Sequence, residues 1–443
     1  MEFIIKFAQT HETFRVAEIE SLAVVEKLDL KIIEYDADSP ICVVQLPSVE
    51  AAKRLIKRSI LAQSIHELWG QGLTLDDLHE SVKKNSPHLW PQYKMACFKF
   101  DVDAYRGAHT SKGRLGIINT FAYLPFEGPI SLSKPDEVFT VFEQWKHNSV
   151  PLGVEFPDKV WMGRFLADSA RDLVLRYDLK KRDYISTTSM DSELALITAN
   201  ISLAAPGKMF YDPFAGTGSF PVACAHFGAM TWGSDIDGRS MRGDGGKKSL
   251  YGNFEQYGLR PGFGDVFTCD MTNSPIRRVP MWDGIVADPP YGVREGLRVL
   301  GLKDPEKTPW LIEAGIKKGK DPDYVPPKKP YSFLAMLDDI LVFASDTLVE
   351  NGRVSFWMPT ANDEDQEIPM PTHPCLETVS VCVQAFYKWS RRLITYRRIP
   401  NREVSQAALE AYAARQKVVN TGTSADDLNP FRNGYFKGFK TDE

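Results

Sequence analysis

From about residue 185 onward, short apolar runs recur, and each is followed at once by a tight cluster of Gly, Pro or Asp. The runs are MFYDPF, AMTWGSD, GIVADPP and GRVSFWMP, and helical stretches separate them. One of these helices, within TSMDSELALITANISLA, opens on capping residues. Strand and helix in alternation predict an α/β, Rossmann-like domain: a mostly parallel sheet with helices on both faces. Four clusters, DPFAGTGSF, GSDID, CDMTN and ADPPYG, each follow a strand. Ligands of an open parallel sheet collect at the carboxyl ends of its strands, near the point where strand order reverses. The four clusters are therefore expected to converge on one crevice, although they lie far apart in the chain.

Each cluster carries its own chemistry. In DPFAGTGSF, Gly216 and Gly218 permit a tight turn and a close approach of backbone to ligand. A helix from about Ser219 would aim its free N–H groups at a ligand carboxylate. Asp212 and Phe214 of the same loop join them as cofactor-binding candidates. Asp235, 19 positions beyond Gly216, is spaced to accept hydrogen bonds from two ribose hydroxyls. The alternative for Asp235 is a helix N-cap, and Asp237, two places on, competes for the ribose role. Asp270 could accept from an adenine amine, or simply close a turn. Asp288-Pro289-Pro290-Tyr291 is the most specific cluster. An exocyclic base amine has its lone pair delocalised into the ring and must become more tetrahedral to attack an electrophilic methyl. The Asp288 carboxylate and a proline carbonyl can accept its two N–H groups, and the prolines hold those acceptors in place beforehand. Tyr291 can stack on a flat base taken out of its stack.

The preceding half of the chain reads as α+β. FIIKFA and ICVVQLP are expected strands, HETFRVAEIESLAVVEKLDL has helical periodicity, and SVEAAKRLIKRS is a short amphipathic helix. After ILAQSIHELWG come a helix from Asp76 and two expected strands, ACFKFDVDAY and GPISLSKP. Residues 156–184 read as a strand, a turn and a connector. Residues 303–330, rich in Lys, Pro and Gly, read as a mobile loop. The stretch after 401 is polar, with one helical piece, EVSQAALEAYAARQ. The 443 residues, 43% of them hydrophobic, suffice for two or three domains. No apolar run is long enough for a membrane span, and the first residues lack the pattern of a signal peptide. Six scattered cysteines without a C-x-x-C pair point to reduced thiols in a cytoplasmic protein, with neither a disulfide framework nor a metal site. A net charge of −5 argues against indiscriminate nucleic-acid binding but leaves room for a local basic track. Candidates for phosphate contact are Arg106, Lys112, the cluster Lys180, Lys181 and Arg182, then Lys317, Lys318, Arg391, Arg392, Arg397 and Arg398.

Taken together, DPFAGTGSF, DID and DPPYG resemble the class I S-adenosylmethionine methyltransferases that act on amines. FAQTHETFRVAEIESLA, INTFAYLPFEGPISL, GRFLADSARDLVLRYDLKKRDYISTTSMDSELAL, DPPYGVREG and KWSRRLITYRR narrow the likeness. They make the chain similar to the THUMP-domain tRNA (guanine-10-N2) methyltransferases over roughly residues 1–400. That resemblance implies a ferredoxin-like domain at 1–60, an RNA-binding THUMP domain at 61–155, a linker at 156–184, a methyltransferase domain at 185–400 and a tail at 401–443. It implies S-adenosylmethionine as cofactor, tRNA as substrate and position 10 as target. It also places the glycine loop on Gly216 and Gly218, the ribose acid on Asp235 and the amine-binding motif on Asp288 to Tyr291. Eukaryotic members, most alike in DPPYGVREG, work with a small zinc-binding methyltransferase activator, so a heterodimer is expected. Two rivals stand beside this reading. One is the same chemistry on adenine or on a protein glutamine; residues 1–150, which a protein-directed enzyme would not need, speak against the latter. The other is a non-catalytic RNA-binding scaffold, against which stand the intact glycine loop, Asp235 and Asp288.

Overall fold

Consecutive apolar residues in FIIKF leave no polar face, so this strand must be covered on both sides. In the computed structural model it becomes β1 (Glu2–Phe7), with Phe3, Ile4 and Ile5 fully buried. The structure describes residues 1–294, 296–302, 304–318, 321, 324–362, 368–415, 417, 419–422 and 424–437. These divide into two units, Met1–Asp172 and Leu173–Glu443.

The first unit is built on one sheet of seven strands: β1, β2 (Lys31–Tyr35), β3 (Ile41–Gln45), β4 (Ala62–Gly72), β5 (Phe98–Tyr105), β6 (Glu137–Gln144) and β7 (Lys159–Asp168). Their order across the sheet is β2-β3-β1-β4-β7-β6-β5. All pairings are antiparallel except β5 with β6. The sheet therefore runs unbroken across residue 60. The buried Glu18 of helix Arg15–Glu26 stitches that crossing by accepting from Ser59 Oγ at 2.7 Å, Ile60 N–H at 2.9 Å and Leu61 N–H at 3.0 Å. Two expectations change here. GPISLSKP makes only an isolated bridge, Phe98 to Ile130, and the strand beside β5 is EVFTVFEQ. Two prolines, which supply no N–H donor, interrupt the former, whereas the latter alternates β-branched and aromatic residues. The strand expected within 156–184 is present as β7, but it lies between β4 and β6, interior to the sheet, so the stretch is not a linker throughout.

The second unit has a seven-stranded sheet of β8 (Met209–Asp212), β9 (Met230–Asp235), β10 (Phe263–Thr268), β11 (Trp282–Ala287), β14 (Leu348–Ala361), β15 (Leu376–Ala385) and β16 (Trp389–Arg398). A separate two-stranded ribbon pairs β12 (Arg298–Leu300) with β13 (Lys328–Pro330). The large sheet has the order β10-β9-β8-β11-β14-β16-β15. Its first five strands are parallel, and β16 and β15 close it as an antiparallel pair. The chain enters at β8, steps outward through β9 to β10, then returns to β11 on the other side. The strand order thus reverses between β8 and β11, which is where a ligand crevice is expected. Helix Phe333–Thr347 buries Met336, Leu337, Ile340, Leu341 and Phe343 against β8, β11 and β14, with Tyr211 stacked on Trp282 at 5.1 Å.

The stretch 303–330, expected as a mobile loop, carries helix Thr308–Lys318 and strand β13 in its described part. Helix-favouring Glu313, Ala314, Lys317 and Lys318 outweigh the Pro and Gly content around them. The described part of the expected tail packs back on its unit. Helix Gln406–Ala414 hangs on helix Phe333–Thr347 through Tyr412 Oη to Asp338 Oδ1 at 2.7 Å. Asn420 N–H donates to Ser332 Oγ at 2.8 Å, and Phe333 N–H to Leu428 C=O at 2.9 Å. All six cysteines are free thiols. Among the described residues no helix is long and apolar enough to cross a membrane.

Candidate active site

β8 ends on Asp212, which is buried and accepts the Phe214 N–H on Oδ1 at 2.9 Å. The loop is pinned to β9 by Ala215 N–H to Ser234 C=O at 2.8 Å. Its two glycines serve different ends. Gly216 has φ +48°, and the nearest atom to a Cβ placed there is 4.0 Å away, so its backbone faces open space. Gly218, at φ +85°, starts helix Ser219–His226, and a Cβ would come within 2.8 Å of Leu250 Cγ. The first glycine leaves room for a ligand, and the second lets the helix pack.

The next strand decides between its two acids. Asp235 accepts the Gly216 N–H on Oδ2 at 3.1 Å and the Asp237 N–H on Oδ1 at 2.8 Å, so its carboxylate spans the glycine loop and its own turn. Burial pushes its pKa upward, and the two N–H donors hold it back. Asp237 turns away. It caps helix Gly238–Arg242 and takes a two-pronged bond from Arg239, at 2.9 and 2.6 Å, which pulls its pKa down to about 2. Asp270, after β10, bonds Thr272 N–H and Oγ1 through Oδ1, at 2.9 and 2.8 Å, and Leu300 N–H through Oδ2 at 2.7 Å. It closes a turn and ties β12 to it while still lining the cleft.

Asp288 follows β11 and accepts the Tyr291 hydroxyl on Oδ1. Burial pushes its pKa up to about 6, against the opposing pull of Arg391 and of the Tyr291 hydroxyl. Burial and the neighbouring Asp288 push Tyr291 well above the usual phenol range, so it stays a donor. Asp212, the innermost acid, is likewise pushed well up, chiefly by burial and further by the charges of Asp235 and Asp288. The half-buried Arg391 on β16 lies over the Trp357 ring at 4.8 Å. A cleft of about 1020 Å³ gathers Asp212, Phe214, Gly216, Asp235, Asp270 and all of Asp288 to Tyr291, with Arg391 also lining it. Gly218 stands behind this lining, as its packing role requires.

A family model described as Tmrp11 THUMP N-terminal domain matches residues 1–171. The tRNA (guanine(10)-N(2))-methyltransferase of Saccharomyces cerevisiae is 46% identical over 402 residues, covering 89% of this chain and 92% of that protein. The chain belongs to the tRNA (guanine(10)-N(2))-methyltransferase family. The Schizosaccharomyces pombe protein of the same name is 37% identical over 441 residues, covering 91% of each chain. The human tRNA (guanine(10)-N(2))-methyltransferase TRMT11 is 35% identical over 421 residues, covering 90% of this chain and 88% of that one.

In this tRNA methyltransferase chain the basic candidates separate by burial. In the N-terminal unit, Arg106 and Lys112 are exposed. Lys180 and Lys181 are exposed as well, but Arg182 is only 6% exposed, so it is corrected from a phosphate ligand to an internal residue. Its Nη1 donates to Ser219 Oγ at 3.2 Å, and its guanidinium lies over Tyr257. Arg397 pairs with Glu377 at 2.6 Å, and Arg398 bonds the Ser345 carbonyl at 3.0 Å, so both are committed internally. Sequence reasoning missed the acceptor side of the cleft. Phe386, Trp389, Phe431 and Tyr435 line it beside Tyr291. The last two come from helix Pro430–Lys437, and Phe431 packs on Trp389 with ring centres 5.6 Å apart. Its sequence, PFRNGYFK, carries an aromatic signal, but nothing local ties it to DPPYG.

Proposed function

We propose that this chain transfers a methyl group from S-adenosylmethionine to the exocyclic N2 amine of guanosine 10 in tRNA, with Asp288 and the prolines after it as acceptors for the amine. One observation carries the assignment of residues. The Asp288–Tyr291 loop and the glycine loop leave adjacent parallel strands, β11 and β8, and open into the same cleft. The residues present suit the cofactor. Open backbone at Gly216 admits a carboxylate or ribose edge, the start of helix Ser219–His226 favours an anion, and Asp235 offers a carboxylate for a ribose diol. When bound, S-adenosylmethionine supplies an electrophilic methyl group on a sulfonium sulfur. Phe214 and Asp270 would flank the adenosine.

On the acceptor side, Tyr291 occupies Asp288 Oδ1, which leaves Oδ2 for an amine N–H. Two acceptors fixed before the reaction favour the pyramidal amine over the planar one, so their effect grows toward the transition state. With its pKa near 6, Asp288 is ionised at neutral pH yet basic enough to receive the proton the amine must shed. The Tyr291 ring and the aromatic wall beyond it offer a stacking surface for an extruded guanine.

The remaining parts of the reading extend it beyond the catalytic cleft. Residues 1–60 and 61–172, the latter including β7, serve as ferredoxin-like and THUMP segments, 173–184 as the linker, 185–400 as the methyltransferase and 401–443 as its C-terminal extension. Arg106, Lys112, Lys180 and Lys181 contact tRNA phosphates. A small zinc-binding activator subunit forms a heterodimer with the chain, which suits a catalytic subunit of net charge −5 that must approach a polyanion. Six reduced thiols fit a cytoplasmic setting. The test is transfer of label from S-adenosylmethionine to unmodified tRNA, with and without the activator, followed by nucleoside analysis. Methylated guanosine mapped to position 10 is expected, with turnover raised by the activator. Label in another nucleoside, or in none while cofactor binds, would overturn the substrate assignment.

A further inference from the structure

The loop that carries Asp288 and Tyr291 is not held only by its own strand. Asn429 is 2% exposed, and its amide Nδ2 donates to the Tyr291 carbonyl at 2.8 Å. Its Oδ1 accepts the Arg432 N–H at 3.1 Å, three residues on, which is the bond a helix cap makes. Pro430 stands at the first position of that helix, where its missing N–H costs nothing. Arg432 reaches the same loop one residue later: its Nη1 donates to the Gly292 carbonyl, and its Nε to Asp426 at 2.8 Å. Gly292 has φ +79°, and a Cβ there would come within 2.6 Å of Asn429 Nδ2. The loop backbone therefore lies directly against the Asn429 side chain, where there is no room for a Cβ on residue 292. Two successive carbonyls directly after the Asp-Pro-Pro sequence thus find their donors some 140 residues away.

We propose that Asn429 and Arg432 are positioning residues for methyl transfer: they clamp the Tyr291 and Gly292 carbonyls and so fix the amine acceptors of the Asp288–Tyr291 loop against the cleft. The inference rests on the catalytic role given above to that loop. The same helix brings Phe431 and Tyr435 to the cleft wall, so one element both shapes the acceptor side and anchors its chemistry. The Asn429 amide does two tasks at once. Its oxygen caps the helix while its nitrogen holds the loop. Aspartate or serine at this position could keep the cap, but neither offers the loop an amide donor.

That division sets the test. In the full chain, with the activator subunit present, Asn429→Ser keeps a capping oxygen but removes the amide nitrogen that reaches the loop, since the serine hydroxyl ends one bond short of it. Hydrogen exchange of a peptide spanning residues 288–294 is expected to speed up, while a peptide spanning 209–216 keeps its protection. Methyl transfer to tRNA is expected to lose about tenfold to a hundredfold in kcat, the scale of an ångström-level misplacement. KM for tRNA and the stoichiometry and affinity for S-adenosylmethionine should stay unchanged. Unaltered exchange in 288–294 would overturn the clamp whatever the activity. Wild-type kcat in the variant would overturn its bearing on the reaction. Should Asn429→Ser lose cofactor stoichiometry and so prove misfolded, Arg432→Met decides, since it keeps the half-exposed stem and removes only the guanidinium. Faster exchange with lowered kcat in that variant supports the clamp, and wild-type behaviour in both removes it. A wild-type chain that transfers no methyl to tRNA would instead fail the functional reading, and the exchange arm would still report on the clamp.

Discussion

Asp288→Asn is expected to destroy activity and stabilise the fold, and the size of the gain follows from the site. In the folded chain Asp288 titrates near 6, against 3.8 for a free aspartate, because burial outweighs the pull of Arg391 and Tyr291. At about 1.4 kcal/mol per tenfold change, holding this group ionised at neutral pH costs the fold about 3 kcal/mol. The raised pKa fixes the sign. Between about pH 4 and 6 the folded chain binds more protons than the unfolded one, so this contribution declines as pH rises and levels off above 6. An amide has no charge to desolvate and still offers Oδ1 to the Tyr291 hydroxyl. It also spares Asp212 the repulsion of a second carboxylate. The variant should thus gain up to about 3 kcal/mol at pH 8 and much less at pH 4.5. At roughly 2–4 °C per kcal/mol for a unit of this size, that is a ceiling of roughly 6–12 °C in Tm. Calorimetric melts of both proteins across this range give the gap directly. Methyl transfer by the wild type should rise through an acid limb near pH 6, whereas the variant should show none. A variant no more stable than wild type at pH 8, or a gap independent of pH, would refute the argument that Asp288 is kept poised at the fold's expense.

Asp235→Ala should weaken S-adenosylmethionine binding about tenfold or more while leaving Tm nearly unchanged, because the burial cost of Asp235 offsets the two N–H bonds it accepts; unaltered affinity by titration calorimetry would remove it from the cofactor site. Lys180→Ala and Lys181→Ala should each reduce the slope of log affinity for tRNA against log salt by about 1. Arg182→Ala should leave that slope alone and instead lower stability by about 1–3 kcal/mol, through loss of its buried bond to Ser219. A changed slope in the Arg182 variant would return it to the RNA-contacting set.

The sequence by itself determined the parts whose signal is local. An apolar run that stops at Gly, Pro or Asp announces both a strand and the turn at its carboxyl end. The positions of DPFAGTGSF, GSDID, CDMTN and ADPPYG on β8, β9, β10 and β11 were legible for that reason. The chemistry of Asp288-Pro-Pro-Tyr could likewise be argued from residue types alone. Tertiary structure decided what depends on distant partners. Asp235 and Asp237 are alike in sequence, and only the Gly216 N–H and the Arg239 guanidinium tell them apart. Lys180, Lys181 and Arg182 form one basic run, yet the third turns inward to Ser219 and Tyr257. The strand in 156–184 was expected, but its place inside the first sheet was not, and the helix Pro430–Lys437 lay in a stretch that read as a polar tail, since the neighbours of both are strands and loops remote in the chain. The bond from Asn429 to Tyr291 spans 138 residues, and no local pattern encodes it. A hydrogen-bond donor is chosen by proximity in the folded chain, and proximity is the one property a linear pattern does not carry.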